Sequence, residues 1–92
     1  MARVAWAPHA LKELEEIVAY IEHFDAVAAD KIAGKILAAG ESLADFPNRG
    51  RPVADGCREL PSVPPFVIYY EVSGDTVDIL DVRHGRRRPL AS

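Results

Sequence analysis

The first half of the chain carries the hydrophobic pattern of one strand followed by two helices. A strand is predicted over Arg3–Trp6, and Pro8 then stands where a helix can begin, because the first turn does not need its missing N–H. Apolar residues recur at helical spacing over residues 11–24, with acidic side chains mostly opposite them. Asp25 is placed to cap a second helix, whose apolar stripe covers residues 28–46. The link between the helices is so short that they should form an antiparallel hairpin.

The second half alternates turn residues with strand patterns. Pro47 ends the second helix, and a loop containing glycine and proline is predicted over residues 48–56. Strands follow over residues 57–60, 66–72 and 76–83, and a tight turn joins the last two. The predicted fold class is therefore α+β, with an N-terminal strand, an antiparallel helical hairpin and then a mostly antiparallel three-stranded sheet.

Both faces of the two hairpin strands carry apolar side chains. Residues 66–70 are apolar or aromatic throughout. In the next strand Val77 and Ile79 lie on one predicted face, and Leu80 and Val82 lie on the other. An antiparallel sheet with one wet face should alternate cleanly. Since two helices in a short hairpin cover one face, we expect a partner protein to cover the second, unless the aromatic side chains simply shade one another. The residues predicted to bind this partner are Phe66, Ile68, Tyr70 and Leu80.

Length and composition narrow the class of protein. Ninety-two residues suit one domain, residues 1–92, of which residues 85–92 are expected to be a loose basic tail. The single cysteine, Cys57, excludes an internal disulfide and is expected to be a small core residue. No apolar stretch approaches the ~20 residues of a membrane span, and the N-terminus lacks a signal-peptide pattern, so we expect a cytoplasmic protein without membrane contact.

Charge is distributed unevenly along the chain. The formal net charge of −3 weighs against direct DNA binding, which depends on basic side chains. Residues 10–30 contain six acidic side chains against a single lysine, whereas residues 83–88 read Arg-His-Gly-Arg-Arg-Arg. One end of the molecule is therefore basic although the total is acidic.

The sequence predicts neither a metal site nor a cofactor. Asp75, Asp78, Asp81 and His84 come nearest to a set of clustered ligands. In a regular strand, however, Asp78 and Asp81 point to opposite faces and cannot easily share an ion. His9 is expected to be an ordinary residue of a helix surface.

Three segments together are similar to a known family. They read Phe-Pro-x-x-Gly-Arg at residues 46–51, Arg-Glu-Leu at residues 58–60 and, from residue 70 onward, a hairpin that ends in His-Gly-Arg-Arg at residues 84–87. In this combination, and in the order of its elements, the chain resembles the RelE/ParE toxin superfamily, in particular its ParE-like branch. The resemblance implies the toxin of a type II toxin–antitoxin system, encoded beside a ParD-like antitoxin that wraps around it in a hetero-oligomer.

The superfamily divides by target, and the resemblance implies two alternative activities. RelE-like members cut messenger RNA on the ribosome, and in that case Arg58, Arg83 and His84 would be the catalytic candidates. The loop over residues 47–57 has no lysine, however, and no tyrosine follows Tyr70. The proton-transfer half of a nuclease site is therefore mostly missing.

ParE-like members inhibit DNA gyrase without a catalytic group, and this is the favoured interpretation. Arginine pairs bidentately with carboxylates and stacks on aromatic rings, so an arginine-rich end suits docking on a protein target. Alternatively, these arginines are solvated charges that protect a strand edge, or Arg51 and Arg58 pair with acids of the sheet such as Glu59. A further alternative is an inactive homologue that only binds its antitoxin. The predicted target-binding residues are Arg51, Arg58, Arg83, Arg86 and Arg87.

Overall fold

The computed structural model describes residues 1–85, in which two helices pack on one face of a five-stranded sheet. Short 3-10 turns at Ser42–Ala44 and Ala54–Gly56 complete the connections. In chain order the helices and strands are β1 (Arg3–Trp6), α1 (Pro8–Glu22), α2 (Ala26–Glu41), β2 (Arg51–Pro52), β3 (Cys57–Pro61), β4 (Phe66–Ser73) and β5 (Thr76–His84).

The strands lie in the order β1-β5-β4-β3-β2, with β1 parallel to β5 and every other pair antiparallel. The predicted α+β class is confirmed. The prediction of three strands in the second half missed β2, whose residues pair with Arg58 and Glu59 of β3. A strand of two residues is too short to show an alternating pattern, so it was indistinguishable from a loop.

The two helices begin as the sequence predicts. Pro8 occupies the first turn of α1, and the Asp25 side chain caps α2 by accepting a hydrogen bond from the backbone N–H of Ala28 (3.0 Å). α2 ends at Glu41, earlier than its apolar stripe suggested, because a 3-10 turn carries the chain on towards Pro47. Within residues 1–85, neither helix combines the length and hydropathy that crossing a bilayer requires.

The core lies between the helices and the sheet. Ile36 of α2, Leu43 of the following turn, and Ile68, Tyr70 and Ile79 of the sheet are all 0% exposed. Complete burial of such a side chain contributes about 1.5–3 kcal/mol. Apolar packing of this kind is therefore the main contribution that holds the helical hairpin on the sheet.

A bulge in β5 changes which side chains face the helices. The pairing of β4 with β5 shifts between Tyr69 and Tyr70, so Leu80 is an extra residue with no partner in the ladder. Ile79 and Val82, three positions apart, are consequently both buried in the core. The prediction that β5 is apolar on both faces is thus wrong in part, because only Leu80 remains for the second face.

The sheet face turned away from the helices is called the outer face here. It carries Val67 and Tyr69 of β4 and Leu80 of β5, all three half-buried. The guanidinium of Arg83 covers the Tyr69 ring, 4.5 Å from its centroid. The exposed apolar area on this face is therefore smaller than the sequence suggested, since these side chains partly shade one another.

Candidate functional site

The loop before β2 is held by a buried tyrosine and an arginine. The Tyr70 hydroxyl accepts a hydrogen bond from the Gly50 N–H (2.8 Å) and donates one to the Pro47 carbonyl (2.8 Å). Arg58 donates to the carbonyls of Asn48 (3.2 Å) and Gly50 (2.6 Å). A Cβ at Gly50 would lie 2.8 Å from the Tyr70 hydroxyl oxygen, so only glycine allows this approach. Tyr70 and Arg58 thus fix the entry to β2.

The three candidate nuclease residues do not converge. Arg58 stands opposite Tyr70 on the face that the helices cover, whereas Arg83 stands opposite Val67 on the outer face. His84, one residue further, stands opposite Phe66, and the two rings meet edge to face with centroids 5.8 Å apart. Arg83 and His84 both line a groove at the ends of β4 and β5, but Arg58 lies on the opposite face from Arg83 with β4 between them. The three side chains therefore cannot surround one phosphate.

Two of the predicted target-binding arginines lie on the outer face and are paired with acids. Arg51 contacts Glu59 at 3.0 Å, which confirms the alternative pairing for this arginine. Arg83 Nε donates to Asp81 Oδ2 at 2.7 Å. The Arg51 side chain remains 72% exposed and that of Arg83 28% exposed. Both guanidinium groups are therefore oriented by an acid and still reach the surface.

The other predicted target-binding residues differ from this pair. Among the described residues, Arg58 binds two backbone carbonyls of the loop and not an acid of the sheet, and its contact with a target stays a prediction. Arg86 and Arg87, with the rest of the predicted tail, lie outside the described residues.

Tyr69 is the aromatic centre of the outer face. A hydrogen bond to Cys57, followed by burial, raises the pKa of Tyr69 above its usual value. The phenol is therefore neutral at physiological pH and does not supply the missing general base of a nuclease. Cys57 itself is buried, as the sequence predicted.

Two of the predicted antitoxin-binding residues are inaccessible. Ile68 and Tyr70 are both 0% exposed because they face the helices, so their prediction as a partner surface is wrong. Phe66 and Leu80 are half-buried and keep some surface. The pattern of apolar residues along the strands could not show which face the chain's own helices occupy.

A groove of about 610 Å³ runs between α1 and the ends of β4 and β5. Its floor is apolar, and charged side chains stand on both sides. Tyr20, which is 69% exposed, contributes an accessible aromatic ring. The lining residues are Glu13, Glu16, Ile17, Tyr20, Phe66, Val82, Arg83 and His84.

One wall of the groove is joined to the sheet by a cluster of His9, Glu13 and Asp81. β1 ends opposite Ile79, and beyond that point Glu13 Oε1 accepts the Val82 N–H at 3.1 Å. His9 Nε2 lies 3.5 Å from Glu13 Oε2 and 3.2 Å from Asp81 Oδ1. Beyond the end of β1, a side chain of α1 thus accepts the β5 hydrogen bond that a longer β1 would have accepted.

The pKa values of the two carboxyl groups in the cluster are shifted in opposite directions. Burial, then the hydrogen bond to Asp81, raises the pKa of Glu13 from 4.5 to about 7. Burial alone would raise the pKa of Asp81 as well, but hydrogen bonds from Glu13 and Arg83 outweigh it and lower that pKa. Asp81 therefore carries the negative charge, and Glu13 holds a proton up to near-neutral pH.

The sequence does not reveal this cluster, because only Asp81 of its three residues belongs to the strand that carries the candidate ligands. The bulge at Leu80 places Asp78 opposite Glu71 and Asp81 opposite Tyr69, so the two aspartates share the outer face. The prediction that these aspartates point to opposite faces is therefore wrong. Part of the cluster is visible in the sequence as the spacing of His9 and Glu13, which lie four residues apart on one side of α1.

Comparison with known proteins places this arrangement in context. Residues 4–89 match the family described as the ParE toxin of type II toxin-antitoxin system, parDE. Toxin RelE2 of Caulobacter vibrioides is 42% identical over 87 residues, which cover 95% of this chain and 99% of that protein. Putative toxin Y4kP of Sinorhizobium fredii is 40% identical over 88 residues, covering 94% of this chain and 91% of that protein.

A solved structure described as the chromosomal ParDE TA system from P. aeruginosa shares the fold. It superposes with a TM-score of 0.83 at 25% identity, over 91% of this chain and 96% of that chain. The strand, helical hairpin and sheet therefore define a toxin of the RelE/ParE superfamily. Within that superfamily, the chain belongs to the ParE toxin family of type II toxin–antitoxin systems.

Proposed function

We propose that this toxin inhibits growth in the cytoplasm by binding DNA gyrase, without catalysing a reaction of its own, and that a ParD-like antitoxin neutralises it. The observation that carries the proposal is the separation of Arg58 from Arg83 by the sheet. Cleavage of RNA needs cations and proton-transfer groups around one phosphate. The described residues offer no such constellation at Arg58, Arg83 and His84, whereas a docking surface needs none.

The proposed target surface is the outer face from Arg51 to Arg83. Register places Arg51, Glu59, Tyr69 and Asp81 in one row across four neighbouring strands, about 14 Å in length. Arg83 is held against the Tyr69 ring, so little side-chain entropy is lost when it meets a carboxylate of a partner. Arg86 and Arg87 follow in sequence and belong to the same proposal.

The target is tested by two assays in parallel. The purified protein is added to a gyrase supercoiling and cleavage assay and to a cell-free translation reaction. We expect supercoiling to be inhibited while messenger RNA stays intact. The double variant Arg51→Ala/Arg83→Ala should need at least about tenfold more protein for the same inhibition, since arginine is among the residue types enriched at binding hot spots, where truncation costs about 2 kcal/mol or more.

A matched arginine provides the control for this experiment. Arg49 is exposed and donates to Ser42 at the end of α2, away from the outer face. Arg49→Ala should therefore inhibit gyrase like the wild type. Cleavage of messenger RNA with gyrase unaffected would overturn the proposal in favour of a ribosome-dependent endonuclease.

The groove is the proposed docking site of the antitoxin. Ile17, Tyr20 and Phe66 offer it an apolar floor, with Glu16 and Arg83 among the charged groups at the sides. A partner segment with apolar side chains flanked by charges of both signs would complement this lining. Phe66 thus remains in the predicted antitoxin contact, and Leu80 extends it onto the outer face.

Truncation of Tyr20 tests the groove. Tyr20→Ala should weaken binding of the antitoxin encoded beside the toxin by about tenfold, because an accessible aromatic ring in a pocket is a typical binding hot spot. Phe46→Ala is the matched control, since Phe46 is 65% exposed and lies beside Pro47 and Arg49, outside the groove. The measurement is calorimetric titration of each variant. Equal affinities for the two variants would remove the groove from the antitoxin interface.

A further inference from the structure

The His9–Glu13–Asp81 cluster brings three side chains that commonly ligate metals to one point from two different elements. One ligand atom from each residue lies within 4.8 Å of the others. His9 Nε2 is 3.2 Å from Asp81 Oδ1 and 3.5 Å from Glu13 Oε2. The question is whether these separations suit an ion.

We propose that this cluster binds a divalent transition-metal ion, for which zinc is the best match. Zinc lies about 2.0–2.2 Å from nitrogen and oxygen ligands in a tetrahedral arrangement, which sets neighbouring ligand atoms about 3.3 Å apart. The two separations from His9 Nε2, 3.2 Å to Asp81 and 3.5 Å to Glu13, bracket that value. The distances from His9 to the two carboxylates are therefore those of ligands that can share one ion.

Asp81 presents a buried oxygen to the cluster. Its side chain is only 13% exposed, and Arg83 binds its Oδ2 oxygen. Its Oδ1 oxygen is buried and lies 3.2 Å from His9 Nε2, on the side of the proposed ion. A divalent cation at this point would contact that oxygen directly.

Further contacts orient the ligands towards the proposed ion. The Val82 N–H holds Glu13 Oε1, so Oε2 is the oxygen left for the cluster. Arg83 fixes Asp81 in the same way. Metal sites are typically supported by such outer contacts. His9 is 65% exposed, so a fourth position is open for water.

The donor set decides the class of ion. An imidazole nitrogen with two carboxylate oxygens suits zinc and its neighbours in the first transition row, whereas magnesium and calcium favour oxygen ligands throughout. A bound ion would connect α1 to β5 directly beside the groove, of which Glu13 is part. The site shares Asp81 with the row of residues in the proposed gyrase contact, but its test needs neither gyrase nor the antitoxin.

The test uses the full chain without an affinity tag, freed of metal with a chelator and titrated with zinc chloride at pH 7.5. We expect one equivalent to bind in calorimetry and the melting temperature to rise by about 5 °C or more at saturation. Magnesium chloride should leave the melting temperature unchanged. Cobalt(II) should give the intense visible absorption typical of tetrahedral coordination.

Two variants locate the ion. His9→Ala should weaken zinc binding at least tenfold, and its exposed position makes unfolding an improbable cause of any loss. His23→Ala, an exposed histidine just after the same helix, should bind zinc like the wild type. The proposal is overturned if the wild type takes up no zinc, or if His9→Ala and Asp81→Asn bind zinc as well as the wild type does.

Discussion

Replacing Tyr70 with phenylalanine should lower the free energy of unfolding by about 2–4 kcal/mol. The hydroxyl serves two backbone groups of the loop, the Gly50 N–H and the Pro47 carbonyl, both at 2.8 Å. Tyr70 is 0% exposed, so water cannot easily replace the lost oxygen. A buried donor or acceptor left without a partner costs about 1–3 kcal/mol. Urea denaturation of the wild type and the variant measures the difference.

Tyr20→Phe serves as the control for this measurement. Its ring is 69% exposed, and removal of its hydroxyl should change stability by less than about 0.5 kcal/mol. If Tyr70→Phe were as mild as Tyr20→Phe, the loop before β2 would have to be held mainly by Arg58. The companion variant Arg58→Ala would then show the larger loss.

The second large effect is a fall in stability as the pH rises from about 5 to 8.5. The pKa of Glu13 is raised to about 7 in the folded chain from an ordinary value of 4.5, so folding favours the protonated carboxyl. This contribution is complete below the unfolded pKa and is lost as the pH passes through about 7. Such a shift corresponds to about 3 kcal/mol, which screening at this partly exposed edge reduces to about 1–2 kcal/mol.

Asp81 changes the pH dependence of stability in the opposite direction and in a more acidic pH range. Its pKa is lowered in the folded chain, so its contribution is present near neutrality and is lost only in acid, below its ordinary value of 3.8. Thermal unfolding across this pH series should therefore show greatest stability in mildly acidic buffer, without added metal. Glu13→Gln, which keeps an acceptor for the Val82 N–H, should flatten the decline above pH 5. Glu16→Gln changes a neighbouring exposed acid and should retain it.

The features that the sequence predicted correctly are those encoded by neighbouring residues. Pro8 and Asp25 fix the starts of the helices by local chemistry, and the runs around Phe66 and Thr76 show their strands through composition and turns. The bulge at Leu80 could not be found in this way, because one extra residue is visible only against the register of the partner strand. Because of that single extra residue, Asp78 and Asp81 lie on the same face of the sheet and not on opposite faces.

The candidate sites show the same limit. Charge alone could not separate Arg58, which binds two backbone carbonyls, from Arg51 and Arg83, which reach the surface beside an acid. The cluster of His9 and Glu13 with Asp81 joins residues from opposite ends of the chain, so no local pattern contains it. The sequence therefore does not determine which side chains from distant parts of the chain come into contact.

The parallel pairing of β1 with β5 has a consequence for the timing of folding. Arg3 lies opposite Thr76, and β5 stands between β1 and all other strands. A growing chain can form its helical hairpin early, but β1 has no strand to pair with until β5 has left the ribosome. We therefore expect nascent chains arrested before residue 76 to be sensitive to protease and harmless to the cell. The bacterium would then encounter the folded protein only as a finished product, at a moment when a co-expressed inhibitor can already be present.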